Sequence, residues 1–164
     1  GIHVPNLKQD EMADVQKNVV SKIIGTLWFL WALLHILPGL IMVQSALSGD
    51  ISSIKMLFPE TDPDGLSRDY ADEVRAILVT FGQHGFNLFW FGLVALVGSF
   101  LIFFYANRTA LITSAIVIGL ADLGALFATF MIGKIDVFGV LIFAGTVLGV
   151  VLTVLLLKRG HSNP

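Results

Sequence analysis

Four stretches of this sequence are each long and apolar enough to cross a lipid bilayer, and nothing else in it constrains the fold as strongly. A hydrocarbon core about 30 Å thick takes roughly 20 apolar residues of helix. Runs of that kind cover residues 22–47, 77–105, 109–132 and 136–157. Inside hydrocarbon every backbone amide and carbonyl must find a partner within the protein, which leaves helices or a closed barrel. The alternation of apolar and polar residues that marks barrel strands is missing. The expected fold is therefore all-α: a polytopic membrane protein, a four-helix antiparallel transmembrane bundle with one acidic extracytoplasmic loop over residues 48–76. Only 13% of the residues are charged and 55% are hydrophobic, against about a quarter charged in soluble domains.

Ten Lys and Arg against twelve Asp and Glu give a net charge of −2. That leaves no basic surface for nucleic acid. The chain has no cysteine, so disulfides, thiolate metal sites and cysteine nucleophiles are excluded. Phosphate-binding glycine loops, HExxH and GxSxG are also missing.

The second run would be roughly 43 Å long as a helix and should tilt or protrude. The protruding end is expected on the Ile77 side, where Thr80, Gln83 and His84 lie. Residues 1–21 are expected to be a polar N-terminal segment, with an interfacial helix over residues 7–20 leading into the first run. Without an apolar core, residues 1–18 do not resemble a secretory signal. Residues 158–164 are expected to be a cytoplasmic tail.

Lysine and arginine bias orients the spans. With both termini cytoplasmic in a cell-membrane, multi-pass arrangement, Lys8, Lys17, Lys22, Arg108, Lys158 and Arg159 lie inside. Lys55, Arg68, Arg75 and Lys134 lie outside. In the long loop, residues 51–58 are expected to form a short helix on the membrane, and Asp62-Pro63-Asp64-Gly65 a turn. Ser67 or Asp69 is expected to cap the helix that follows, and Asp136 the last one.

Ionisable residues within spans are costly and mark sites by default. Here they are His35, His84 and Asp122, accompanied by Gln44, Gln83 and Asn87. Depths counted along each run put His35, Asn87 and Asp122 each about 15 Å below the outer end, with His84 one turn above. Asp122 lies in a stripe of small residues, Ala115, Gly119, Ala125 and Thr129, which suits close helix approach.

Several readings of this group follow. The first is a ligand site for a small apolar or amphiphilic molecule, lined by Trp31, His35, His84, Asn87, Phe91 and Asp122. Acid–base catalysis there would use His35, His84 and Asp122. The second is an accessory or assembly subunit of a larger membrane complex, in which the cluster is structural. Its partner would be a membrane protein docking through Gly145 and Gly149, a GxxxG pair. The remaining readings are a single haem b bound by His35 and His84, with Gly39, Gly85 and Gly92 giving room to the macrocycle, and a metal held by His35, His84 and Asp122. Membrane lipid is a partner under all of them. The residues do not say whether a reaction is catalysed.

Overall fold

The computed structural model describes residues 7–56, 60–133 and 137–159. Helix α1 spans Leu7–Ser48, α2 Pro63–Asp69, α3 Ala71–Tyr105, α4 Arg108–Ile132 and α5 Val137–Arg159, with a 3₁₀ turn at Ile51–Met56. No strand occurs among the described residues. Four of the helices are long and apolar enough to cross a membrane, over Asp14–Ser48, Ala71–Tyr105, Arg108–Phe127 and Gly139–Arg159. The protein is an all-helical membrane protein of that kind. His3, Lys134, Asp136 and His161 lie outside the described residues, and so do the expected cap at Asp136 and most of the tail.

Residues Leu7–Val20 form the opening turns of the 42-residue α1, with no break before the first span. Pro38 lies inside α1, and the helix continues through it. The helix stops at Gly49, whose φ of +74° suits a residue without Cβ. The Asp50 amide then donates to the Ser45 carbonyl at 3.1 Å, the bond that closes a Schellman cap. Gly133, at φ +72°, follows the last residue of α4 with the same left-handed backbone.

The long loop is more regular than the turn residues suggest. Asp62-Pro63-Asp64-Gly65 does not end in a turn: Pro63 opens α2 at a position where its missing N–H costs nothing. Neither Ser67 nor Asp69 caps the next helix. Both belong to α2, and Tyr70 joins the two helices. The Tyr70 amide donates to Leu66 O and its carbonyl accepts from the Val74 amide, both at 2.9 Å. As a result α3 begins at Ala71 and runs 35 residues, about 52 Å, well beyond the hydrocarbon thickness.

The chain divides into two compact units. One holds residues 32–93. In it Ile51 and Ile54 of the 3₁₀ turn are buried with Val74 and Leu78 of α3, and Leu66 and Ile77 pack against them. The other holds residues 1–31 and 94–164. There α4 and α5 lie antiparallel, and α3 passes to α4 through Ala106 and Asn107 alone. Asn107 caps α4, its Oδ1 accepting from the Ala110 amide at 2.9 Å. Ala106 takes a φ of +46°, unusual for a residue carrying Cβ.

Candidate functional site

Asp122 is placed by α4 with only 5% of its surface exposed. Both of its carboxylate oxygens accept hydrogen bonds from other helices. Trp31 of α1 donates from Nε1 to Oδ1 at 2.9 Å. Thr146 of α5 donates from Oγ1 to Oδ2. An ionised carboxylate in a low-dielectric interior needs such donors, because desolvation otherwise costs several kcal/mol. Trp31 and Thr146 are themselves buried. The sequence singled out Trp31 and Asp122 but missed Thr146. A threonine one residue past Gly145, facing Asp122 in the antiparallel α4–α5 pair, was the available signal.

Trp28 of α1 also packs against α5. Trp28 is 1% exposed, and its ring lies over Gly149, where a Cβ would approach Trp28 Cζ3 to 2.7 Å. Gly149 therefore receives a side chain of this same unit and is not open to a partner helix. Gly145 is open, with no atom within 4 Å of an added Cβ. The expected GxxxG docking face is thus reduced to one of its two glycines. Trp28 Nε1 is buried and has no hydrogen-bond partner among the described residues.

His35, His84, Asn87 and Phe91 belong to the other unit. There α1 and α3 meet backbone to backbone. A Cβ at Gly39 would lie 2.6 Å from Gly85 O, one at Gly82 2.6 Å from Ala46 Cβ, and one at Gly92 3.0 Å from Ala32 O. These glycines do not make room for a macrocycle: the opposing helix fills the space. The antiparallel register they fix sets Gly92 near the level of His35, and Val43 opposite His84. The two histidines are therefore about 12 Å apart along the helix pair. A bis-imidazole haem needs both at one level, and these are not.

His35 is half-buried and His84 exposed. Asn87 is half-buried, and its Oδ1 accepts from Trp90 Nε1 at 3.2 Å, so that side chain is engaged on its own helix. Phe91 is half-buried with its ring 4.1 Å, centroid to centroid, from that of Trp90. Gln44 and Gln83 are exposed. No group of three His, Asp or Glu able to hold a metal ion occurs among the described residues. In the small-residue stripe, Gly119 faces Val150 of α5, whose Cγ2 would lie 3.7 Å from an added Cβ, while Ala125 is exposed.

No protein-family model, curated protein or solved structure is significantly similar to the chain.

Proposed function

We propose that the chain is a non-catalytic integral membrane subunit that assembles with another membrane protein, and that Asp122 serves to hold its helices together. The observation that carries this reading is the engagement of both Asp122 oxygens by donors from α1 and α5. Asp122 is the strongest candidate for chemistry in the sequence, and its surroundings suit a pin between helices better than an acid or base meeting a substrate. Gly124, Gly139 and Gly145 support assembly, since each has open space where a Cβ would be. Small residues let a second helix approach closely in lipid. The lysine and arginine bias favours a cell-membrane location with both termini cytoplasmic.

Native mass spectrometry of the full chain, extracted gently from its own membrane, tests this. An additional protein mass is expected, lost on Gly124→Leu or Gly145→Leu without a fall in unfolding temperature. Asp122→Asn should lower the unfolding temperature and the assembled fraction together. A stoichiometric non-protein adduct, lost on Asp122→Asn or His84→Ala from protein of unchanged stability, would instead select a ligand site.

One group favours that second reading. The buried Trp28 Nε1–H lacks an acceptor among the described residues, which costs about 1–3 kcal/mol. A small apolar or amphiphilic ligand bearing one oxygen would supply the acceptor. Trp28→Phe should then weaken ligand binding while leaving stability equal or higher.

A further inference from the structure

The exposed surfaces of α1 and α3 change character at one level, and this inference does not depend on the assembly reading. On α3, every exposed side chain from Phe86 to Phe104 is apolar or aromatic, as at Leu93 and Val97. Tyr105 follows. On α1, every exposed side chain from Ile23 to Ile41 is apolar except Thr26, whose hydroxyl donates to the Lys22 carbonyl of its own helix. Next to these stretches the exposed residues are polar, Gln44 on α1 and His84 and Gln83 on α3, with Leu47 and Val79 exposed beyond them. The contact between Gly82 and Ala46 sets Gln44 opposite Gln83. At the other end, Gly25 against Phe103 sets Lys22 beside Tyr105.

Along each helix the apolar belt has the same length. From Lys22 to Gln44 and from Tyr105 to Gln83 the rise is about 33 Å, close to the roughly 30 Å hydrocarbon core. The side chains of Gln83 and His84 make no hydrogen bond among the described residues, which is costly in hydrocarbon and cheap in water.

We infer that Gln44, Gln83 and His84 form a polar collar at the headgroup level of the bilayer. The described chain between the two ends of the collar, residues 45–56 and 60–82, then stands outside the hydrocarbon. That segment has what a small solvated module needs. It owns the apolar cluster of Ile51, Ile54, Val74 and Leu78, and its entry from α1 is tied down by Ser45, Asp50, Ser52 and Ser53. Tyr105 and Lys22 mark the opposite headgroup level, where aromatic and basic residues concentrate. In this placement His84 is a surface histidine, available to water-borne protons and ligands, and α3 enters hydrocarbon only from Gly85 onward.

The chain has no cysteine, so single cysteines report without background. Gln44→Cys, Gln83→Cys, Ser52→Cys, Leu93→Cys and Val97→Cys, all at exposed positions, are reconstituted as full chains in nanodiscs open on both faces. They are then labelled with a charged maleimide. Ser52→Cys, Gln44→Cys and Gln83→Cys should react at similar rates. Leu93→Cys and Val97→Cys should react about 100-fold more slowly, because the thiolate does not form in hydrocarbon. Protection of Gln44→Cys and Gln83→Cys to the level of Val97→Cys would overturn the placement. So would a Val97→Cys reactivity equal to that of Gln83→Cys.

Discussion

The two compact units differ in what joins their helices. In residues 32–93, α1 and α3 meet through Gly39, Gly82, Gly85 and Gly92, and the backbones themselves are the contact surface. In the other unit Gly25 makes one such close approach, to Phe103 and Ser99 O, and polar and aromatic side chains are added to it, with Asp122 bonded to Trp31 and Thr146 and Trp28 laid over Gly149. Lipid tails are as apolar as leucine, so neither contact is driven by removing apolar surface from water. The glycine seam gains dispersion energy from proximity, and any added atom destroys it. The Asp122 pin gains from satisfied polar groups, and any removed atom weakens it. Adding atoms to one and deleting them from the other is the sharpest way to separate the two.

The largest effect is expected at the seam. Gly39→Leu places a side chain where even a Cβ comes within 2.6 Å of Gly85 O. The helices must part along their length, at a cost of about 3 kcal/mol or more. Gly124→Leu, in open space, should lose nothing and gain a few tenths of a kcal/mol to about 1 from helix propensity. Reversible unfolding in mixed micelles measures both. If Gly39→Leu proves as mild as Gly124→Leu, the seam is not what holds α1 to α3.

The pin should show a smaller effect that depends on its partners. Asp122→Ala leaves the Trp31 and Thr146 donors buried and unpaired, for a loss of about 1–3 kcal/mol. Thr146→Val removes one interhelical hydrogen bond, which in membrane proteins averages about 0.6 kcal/mol. The double variant should cost less than the sum of the two, because Asp122→Ala already breaks the Thr146 bond. Strict additivity in a double-mutant cycle would mean the bond contributes nothing.

The contrast also explains which features were legible in the sequence. Helix number and span positions follow from the length and hydropathy of four runs, and backbone pairing in lipid leaves few alternatives. Asp122 stood out because an acid in an apolar run is rare. What it bonds was not legible, since helix rotation about its axis decides that and depth alone does not. The same gap misplaced the histidines. Depth counted from run ends set His35 and His84 within one turn, whereas the glycine register, invisible without coordinates, sets them about 12 Å apart. Gly39, Gly85 and Gly92 read equally as room for a cofactor or for a helix, and the opposing backbone takes the space. In the loop, Asp62-Pro63 carried a helix start that reads like a turn, because Pro serves both positions.

The connection between α3 and α4 tests a third, local kind of stabilisation. Asn107→Ala removes the cap on the Ala110 amide and should cost about 1 kcal/mol. Ala106→Gly relieves the Cβ crowding of a left-handed residue, at φ +46°, and should gain up to about 1 kcal/mol. Opposite signs at adjacent positions, read by thermal unfolding, separate cap from strain. Equal signs would mean that the connection is not held in this geometry.

The smallest effect sets one aspartate of each unit against the other. Asp50, like Asp122, accepts through both oxygens, from the Ser52 amide and the Ser52 hydroxyl, each at 2.8 Å. Asp50 is exposed. The Ser52 amide first, and the Ser52 hydroxyl second, hold its carboxyl below the usual carboxylate value. A group whose folded value is depressed contributes stability above its unfolded value, and that stability is lost as pH falls through the folded one. Acidification through the carboxylate range should therefore loosen the junction between α1 and the 3₁₀ turn, seen as faster hydrogen exchange at the Ser52 and Ser53 amides. Asp50→Asn should flatten that local pH response and leave the Asp122 pin untouched, because Asp50 is held by Ser52 and Asp122 by Trp31 and Thr146. A response unchanged in Asp50→Asn would assign it to another acid of the loop and leave Asp50 a cap whose charge does not matter.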